Sequence, residues 1–112
     1  MQENFQRPGL NFAELRNANV QRCEEAFFGL YEWTPTDWGC ALAGEAGELC
    51  NLLKKMRRGE DIDLEDVGRE LADVVIYADL LAARLGLRLA GIIPKKFNET
   101  SVKVDSDILL KA

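Results

Sequence analysis

Residues 41–49 read Ala41-Leu42-Ala43-Gly44-Glu45-Ala46-Gly47-Glu48-Leu49, a helix-patterned apolar segment that carries two carboxylates. Residues 70–76, Glu70-Leu71-Ala72-Asp73-Val74-Val75-Ile76, repeat this arrangement, and 21 residues separate Glu48 from Glu70. Carboxylates rarely enter an apolar helix face unless a positive group meets them there. Two such pairs on two helices therefore predict a hard divalent cation held by oxygen ligands.

The composition indicates one small, acidic domain. The chain has 112 residues, of which 47% are apolar, so it can bury a core but not a large one. Packing against another copy would enlarge that core. The net charge of −5 argues against nonspecific binding to nucleic acid or to a membrane surface, because both require basic patches.

The cysteine and histidine content limits the kinds of nucleophile, disulfide and metal site that this chain can form. The three cysteines, Cys23, Cys40 and Cys50, form no C-x-x-C pair, which favours small buried thiols in a reducing compartment over disulfides or a zinc site. The chain contains no histidine, which excludes Ser-His and Cys-His nucleophiles and histidine-bearing metal sites. The carboxylates of aspartate and glutamate therefore remain as the candidate catalytic and metal-binding groups.

Targeting and membrane segments are not expected in this chain. Residues 1–10 contain no apolar run of the kind that a signal peptide needs. Residues 74–87 are apolar, but Asp79 and Arg84 interrupt them, so no transmembrane helix is predicted. Together with the cysteine pattern, these features predict a cytoplasmic protein.

Apolar periodicity predicts an all-α chain. We expect a polar arm over residues 1–10, a helical domain over residues 11–103 and an irregular tail over residues 104–112. The domain is expected to be a bundle of about four helices, completed by homo-oligomerisation. A second copy is expected because the long helices are amphipathic on more than one face.

Local signals place the first two helices. Asn11 caps a first helix that is expected to run to about Tyr31. Thr34 or Thr36 caps a second helix, which starts at a proline and ends near the basic residue Arg58.

The third and fourth helices follow from similar signals. Asp63 is expected to cap the third helix, with Asp66 at the capping-box position, and Gly86 is expected to end it. The fourth helix is expected over residues 89–102, with Pro94 either in its first turn or at a break.

The spacing of the carboxylates explains how they would converge. Residues three apart on a helix differ by about 60° in direction, so Glu45 and Glu48 project from one side of their helix, as do Glu70 and Asp73 from theirs. If the two helices pack antiparallel, the pairs face each other, and Mg²⁺ or Mn²⁺ would relieve their repulsion. Mg²⁺ usually completes its shell with phosphate oxygens, which predicts a phosphate-bearing substrate. The alternative is two acidic pairs on solvated helix faces.

Basic and amide side chains outside the carboxylate pairs are candidates for phosphate and substrate contacts. Lys54, Lys55 and Lys96 would contact phosphate as point charges, although Lys54 and Lys55 also suit a helix C-terminus. Asn98 is a candidate for hydrogen bonds to the remainder of such a substrate, with a capping or surface role as the alternative.

Aromatic residues near the carboxylates are candidates for stacking contacts. Trp38, and less so Trp33, would stack on a flat ring of the substrate such as a base, with a place in the core or in a dimer interface as the alternative. Tyr77 shares a side of its helix with Glu70 and Asp73 and is expected to line the pocket. Asp79 lies off that side and is expected to be solvated or at an interface.

Residues 43–49 and 69–77 together resemble the MazG-like nucleoside triphosphate pyrophosphohydrolases. That all-α superfamily carries E-x-x-E, a spacer of variable length and E-x-x-D, and residues 95–99, Lys95-Lys96-Phe97-Asn98-Glu99, resemble its later K-[FM]-x-x-N-like helix. The resemblance covers residues 34–103. One departure is Gly44, where many members have a glutamate; the metal-ligand positions are kept.

The resemblance implies an activity. It implies hydrolysis of a (d)NTP between the α and β phosphates, giving (d)NMP and pyrophosphate, in nucleotide-pool house-cleaning. It implies Mg²⁺ held by Glu45, Glu48, Glu70 and Asp73. We expect Glu48 to be the catalytic carboxylate that also orients or deprotonates water, with Glu45 beside it.

Several alternatives to this function remain open. One is a dUTPase-like or phosphoribosyl-ATP pyrophosphohydrolase activity on the same scaffold. Another is a non-catalytic helical regulatory or interaction module with a vestigial site. The expected assembly is a homodimer or a dimer of dimers.

Overall fold

Four α-helices make up the fold of the computed structural model, which describes residues 9–111. The helices are α1 (Phe12–Ala26), α2 (Pro35–Arg57), α3 (Leu64–Arg84) and α4 (Leu89–Lys103), with a 3₁₀ turn at Leu30–Glu32. Residues 9–111 contain no strand, which confirms the all-α prediction. Most of the predicted arm, residues 1–8, lies outside the described residues. No helix among those described is long and apolar enough to cross a membrane.

Side-chain caps start three of the four helices. The Asn11 side chain accepts a hydrogen bond from the first turn of α1, and Asp63 does the same for α3. Thr34 forms a capping box with Asp37: its hydroxyl accepts the Asp37 N–H at 3.1 Å, and the Asp37 carboxylate accepts the Thr34 N–H at 2.9 Å. The predictions for these three caps are confirmed. Asp66, expected to complete a capping box in α3, instead pairs with an arginine one turn later.

The end of α1 differs from the prediction that it reaches Tyr31. The helix ends at Ala26, and a 3₁₀ turn follows at Leu30–Glu32. The Glu24 carboxylate accepts the Leu30 N–H, and the Cys23 thiol lies 3.2 Å from the Phe28 carbonyl oxygen. These contacts stabilise a folded-back segment in place of another helical turn, and they bring Leu30 into the core.

The core lies where α1, α2 and α3 meet. Its buried members are apolar residues from all three helices and the 3₁₀ turn: Cys23, Leu30, Trp38, Leu80 and Ala83. The indole N–H of Trp38 donates to the Leu30 carbonyl at 3.0 Å, which satisfies the polar atom of the largest core side chain.

The cysteines do not all lie in this core. Cys23 is buried, as expected, but Cys40 and Cys50 are exposed on α2, so the prediction of three buried thiols is wrong for two of them. Both lie on sides of α2 that face away from the other helices of the same chain.

Asp79 is buried, which contradicts the prediction of a solvated or interface position. Only 1% of its side chain is exposed, and the Arg16 guanidinium donates to it at 2.9, 3.1 and 3.2 Å. The Asn19 amide also lies 3.4 Å from the carboxylate and donates to the Ile76 carbonyl at 3.0 Å. The buried carboxylate is thus paired, and the pair fastens α1 to α3.

The fourth helix continues through Pro94, which contradicts the prediction of a proline in the first turn or at a break. Pro94 is the sixth residue of α4. A proline there removes the backbone bond that would reach the Ala90 carbonyl, and the helix persists without it. α4 packs mainly against α1, and residues 104–111 after it form neither helix nor strand.

Candidate metal centre and adjoining cavity

The α2–α3 pair is the most extensive helix contact in the fold and carries both carboxylate pairs. Residues 58–63 connect the two helices, and so short a connection makes them antiparallel neighbours. Gly59, with a φ of 89°, supplies the left-handed conformation that ends α2. Glu45, near the middle of α2, therefore lies opposite the first half of α3.

Three carboxylates converge between these helices. Glu45, Glu70 and Asp73 each offer one oxygen atom, and these oxygens all lie within 4.8 Å of one another. We call these three residues the carboxylate cluster. All three side chains are partly buried, and the described ion pairs do not involve them. One oxygen of Glu45 and one of Glu70, Oε2 in each, are shielded from solvent without a hydrogen-bond partner in residues 9–111.

Burial and mutual repulsion shape the protonation of the cluster. Burial raises the pKa of Glu45, and the negative charges of Glu48, Asp73 and Glu70 raise it further. Burial likewise raises the pKa of Glu70, with Glu48 as the largest neighbouring charge. Within residues 9–111, the protein thus holds like charges close together without an ion pair to a positive side chain.

This donor set fits a hard divalent cation. Every available ligand atom is a carboxylate oxygen, which suits Mg²⁺ or Mn²⁺ rather than softer metals. The two shielded, unpartnered oxygens are what a cation would satisfy, because buried polar atoms otherwise find a hydrogen bond. The residues present therefore match the ion that the sequence analysis expected.

Glu48 lies beside the cluster rather than within it. Its side chain is exposed and is not one of the three whose oxygens converge, yet its charge raises the pKa of both Glu45 and Glu70. It is close to the cluster and open to water at the same time.

The structure places the predicted phosphate ligands of α2 further along that helix. Lys54 and Lys55 are exposed near its C-terminal end. By helical geometry Lys55 follows Glu48 on the same side, about 10 Å along the axis, whereas Lys54 points to the side opposite Glu45. Only Lys55 is oriented toward the region above the cluster.

Lys96 and Asn98 are not brought to the cluster within one chain. Both lie on α4, which packs mainly against α1. The Asn98 amide donates to the Leu110 carbonyl and its oxygen accepts the Leu110 N–H, each at 2.8 Å, so the side chain holds the tail. A substrate role for these two residues stays a prediction that the single chain does not support.

An aromatic cavity adjoins the carboxylate cluster. It has a volume of about 410 Å³, and Asp73 belongs to both its lining and the cluster. The rings of Phe28, Trp33 and Trp38 form one wall, with the Phe28–Trp33 and Trp33–Trp38 centroids 4.6 and 4.7 Å apart. Tyr77, 6.3 Å from the Trp38 ring, continues that wall toward Asp73.

Polar groups from α1 and α3 line the same cavity. Asn19 and Arg22 reach it from α1, and burial together with Glu45 and Asp73 raises the pKa of Tyr77, while Arg22 opposes that rise. Because the Asn19 amide N–H groups point to Ile76 and Asp79, its carbonyl oxygen is the acceptor it has left. The cavity thus combines apolar walls with the Asn19 carbonyl, the Arg22 cation, the Tyr77 hydroxyl and, at its edge, the Asp73 carboxylate.

Trp38 and Tyr77 both contribute to the lining of this cavity. Trp38 is only 3% exposed and belongs to the core, which was the alternative to base stacking, and a role of either residue in substrate binding stays a prediction. Asn19, Arg22 and Phe28 were not predicted. The signal for Asn19 was present in the sequence, because it interrupts the apolar spacing of α1 at a position that proves to be 3% exposed. A polar residue inside an apolar stripe is the feature that would have identified it.

A phage protein is similar in sequence to this chain. No family model matches the sequence, and no solved structure matches it. The chain is 32% identical over 73 residues to the "Gene 37 protein" of Mycobacterium phage L5. The alignment covers 61% of this chain and 64% of the phage protein, so the chain spans less than two thirds of the length of this relative.

Proposed function

We propose that this protein is a Mg²⁺-dependent nucleotide pyrophosphohydrolase, which cleaves a (d)NTP between the α and β phosphates. The observation that carries the proposal is the convergence of the Glu45, Glu70 and Asp73 oxygens within 4.8 Å beside an aromatic cavity that shares Asp73. An oxygen-only cation site and flat apolar walls are the two kinds of surface that a triphosphate and a base require.

The negative charge of the carboxylate cluster determines how a nucleotide can bind. A nucleoside triphosphate is a polyanion, and the cluster would repel it. Glu45, Glu70 and Asp73 would hold the metal, which when bound neutralises phosphate charge and polarises the phosphorus–oxygen bonds. Substrate binding is therefore expected to depend on the cation and not on the carboxylates alone.

Glu48 is the residue we assign to the attacking water. It lies beside the cluster but outside the three converging oxygens, and it is open to solvent. A carboxylate in that position can orient a water molecule and accept its proton as the water oxygen bonds to phosphorus. The bond between the α and β phosphates breaks, and pyrophosphate leaves.

The aromatic cavity would hold the base. Phe28, Trp33 and Tyr77 offer ring faces or edges to a planar heterocycle, and the Asn19 carbonyl and the Arg22 guanidinium offer an acceptor and a donor. Because Asp73 lines both regions, a base in the cavity places the phosphate chain next to the cluster.

The test is hydrolysis of a panel of (d)NTPs in the presence of Mg²⁺, followed by ³¹P NMR to distinguish pyrophosphate from orthophosphate. We expect pyrophosphate, and we expect Glu48→Gln to lower kcat by about 100-fold or more. Glu65→Gln is the matched control, since Glu65 is an exposed glutamate of α3 outside the cluster. Orthophosphate as the product, or a rate that Glu48→Gln and Glu70→Gln leave unchanged, would contradict the proposal.

Calorimetry gives a second readout that does not depend on finding the substrate. Wild-type protein is expected to bind Mg²⁺ or Mn²⁺, and Glu70→Gln is expected to weaken that binding, whereas Glu65→Gln is not. A protein that binds neither ion would favour the non-catalytic alternative.

A further inference from the structure

Asn19 places a hydrogen-bond acceptor in the wall of the aromatic cavity. The residue is 3% exposed, and its amide group donates to the Ile76 carbonyl at 3.0 Å and lies 3.4 Å from the Asp79 carboxylate. Both amide hydrogens are therefore directed at acceptors of α3. Within residues 9–111, no hydrogen bond is donated to the Asn19 carbonyl oxygen, and this atom is left for a ligand of the cavity.

The pair of Arg16 and Asp79 holds this orientation of the amide. Arg16 donates to both Asp79 oxygens at 2.9–3.2 Å, and the Asp79 side chain is 1% exposed, so the carboxylate has a fixed place. A flipped amide would point its oxygen at this carboxylate and at the Ile76 carbonyl, which are both acceptors. Asn19 therefore presents an acceptor to the cavity and cannot exchange it for a donor without losing both contacts.

Arg22 is the donor that accompanies this acceptor. It follows Asn19 by three residues, so the two side chains project from one side of α1, and both line the cavity. Two further lining residues, Cys23 on α1 and Leu80 on α3, add no free donor. Leu80 is apolar, and the Cys23 thiol already lies 3.2 Å from the Phe28 carbonyl oxygen. This end of the cavity thus combines one acceptor, one cation and apolar surface.

The position of Asn19 suits the far edge of a base. Asn19 contacts α3 at Ile76 and Asp79, which follow Asp73 by three and six residues, about 4.5 and 9 Å along the helix axis. A nucleotide with its phosphates at the carboxylate cluster would therefore extend its base toward Asn19. The exocyclic group on the base edge away from the sugar is an amino group in adenine and cytosine and a carbonyl oxygen in guanine and thymine.

We infer, on the basis of the proposed function, that the cavity selects nucleotides whose base carries an exocyclic amino group, and that Asn19 determines this specificity. The amino group of adenine or cytosine donates to the Asn19 oxygen, and the ring nitrogen beside it accepts from Arg22. Hypoxanthine and uracil carry a carbonyl oxygen and a ring N–H at these two positions, so acceptor faces acceptor and donor faces donor. Their ring N–H is set back behind that oxygen and approaches the buried Asn19 carbonyl less closely.

The experiment compares pairs of substrates that differ only in this edge of the base: dATP with dITP, and dCTP with dUTP. With Mg²⁺ and wild-type protein, kcat/KM is expected to be at least about 10-fold higher for the amino member of each pair that is hydrolysed, because the oxo member leaves buried hydrogen-bonding groups unpaired. Asn19→Ala is expected to bring this ratio close to one by slowing hydrolysis of the amino substrates. Asn17→Ala is the matched control, since Asn17 is an exposed asparagine of α1 outside this cavity.

The rates distinguish a failure of this inference from a failure of the proposed function. Equal rates within a hydrolysed pair, a preference for its oxo member, or hydrolysis confined to dGTP and dTTP overturns the inference and leaves the proposed function standing. A ratio that Asn19→Ala changes no more than Asn17→Ala does overturns the assignment to Asn19. A chain that hydrolyses no nucleotide contradicts the proposed function and, with it, this inference.

Fluorescence provides a second measurement that needs neither turnover nor a variant that folds. Both tryptophans of the chain line the cavity, so quenching of their emission reports a bound base. With wild-type protein, dAMP is expected to bind at least about 10-fold more tightly than dIMP, and dCMP more tightly than dUMP by a similar factor. Equal affinities within both pairs overturn the inference.

Discussion

Replacing Asp79 by asparagine tests how α1 is fastened to α3. The Asp79 side chain is 1% exposed and accepts three hydrogen-bond contacts of 2.9–3.2 Å from Arg16, whose side chain is 20% exposed. Asp79→Asn removes the negative charge and leaves a guanidinium with little water around it. Removal of one partner of a buried pair costs about 3–5 kcal/mol, and the residual exposure of Arg16 places the expected loss near the lower value, about 3 kcal/mol.

Urea denaturation followed by circular dichroism measures that loss. A change of about 3 kcal/mol corresponds to a midpoint lower by about 2 M urea for a domain of this size. Glu65→Gln is the matched control: it removes a carboxylate from the pair with Arg69 on the surface, where both side chains are at least 70% exposed. That change is expected to stay below about 1 kcal/mol.

The reasoning fails if Asp79→Asn destabilises the protein no more than Glu65→Gln does. A double variant, Arg16→Met with Asp79→Leu, separates the two contributions to the effect, charge and shape. Because it removes both charges and keeps apolar volume, it is expected to recover a large part of the stability that Asp79→Asn loses.

Two further predictions concern the cluster and the cavity. Because the pKa values of Glu45 and Glu70 are raised in the folded chain, the folded state binds more protons than the unfolded state between their ordinary and raised pKa values. Without divalent cation, the melting temperature is therefore expected to fall as pH rises through that window. The Glu45→Gln/Glu70→Gln double variant should flatten this fall and should also lose the stabilisation by Mg²⁺. An equal pH slope in both proteins would refute the repulsion argument. Trp33→Ala is expected to raise KM for a nucleotide, because it removes a stacking contact worth about 1–3 kcal/mol, and to change kcat little. An unaltered KM would show that Trp33 does not contact the base.

Helix starts were predictable from the sequence because their causes are local. Asn11, Thr34 and Asp63 each bond to backbone within three residues, so short-range patterns contain all the information. The end of α1 was not predictable in this way. The segment after Ala26 turns because Glu24 caps the Leu30 N–H and because Trp33 is held from α3, where the Arg84 guanidinium donates to its carbonyl at 2.8 Å. That last contact spans 51 residues of sequence.

Helical spacing and phase made the carboxylate cluster predictable, but they do not reveal which helix covers Asp79. Spacing by three on two helices joined by a short connection fixes which side chains face each other, so Glu45, Glu70 and Asp73 converge as expected. Glu48 was expected with them, but it lies beside the cluster and not among the three converging oxygens. Helical phase also put Asp79 away from that side, correctly. What phase does not reveal is that α1 covers the other side of α3 and brings Arg16 there, a contact 63 residues apart in sequence. The place of α4, and with it that of Lys96 and Asn98, depends on such contacts too.

The α1–α3 contact links the stability prediction to the proposed function. Asn19 donates to the carbonyl of Ile76, which lies about one helical turn from Asp73 on α3, and it approaches Asp79. Asn19 and Asp73 also line the same cavity. Loosening that contact should therefore move a wall of the cavity but leave the cluster on the α2–α3 pair. Asp79→Asn is expected to lower stability and nucleotide affinity together while Mg²⁺ affinity holds, whereas Glu70→Gln is expected to lower Mg²⁺ affinity without unfolding the chain. If calorimetry shows Asp79→Asn abolishing Mg²⁺ binding in folded protein, the cluster is not an independent property of the α2–α3 pair.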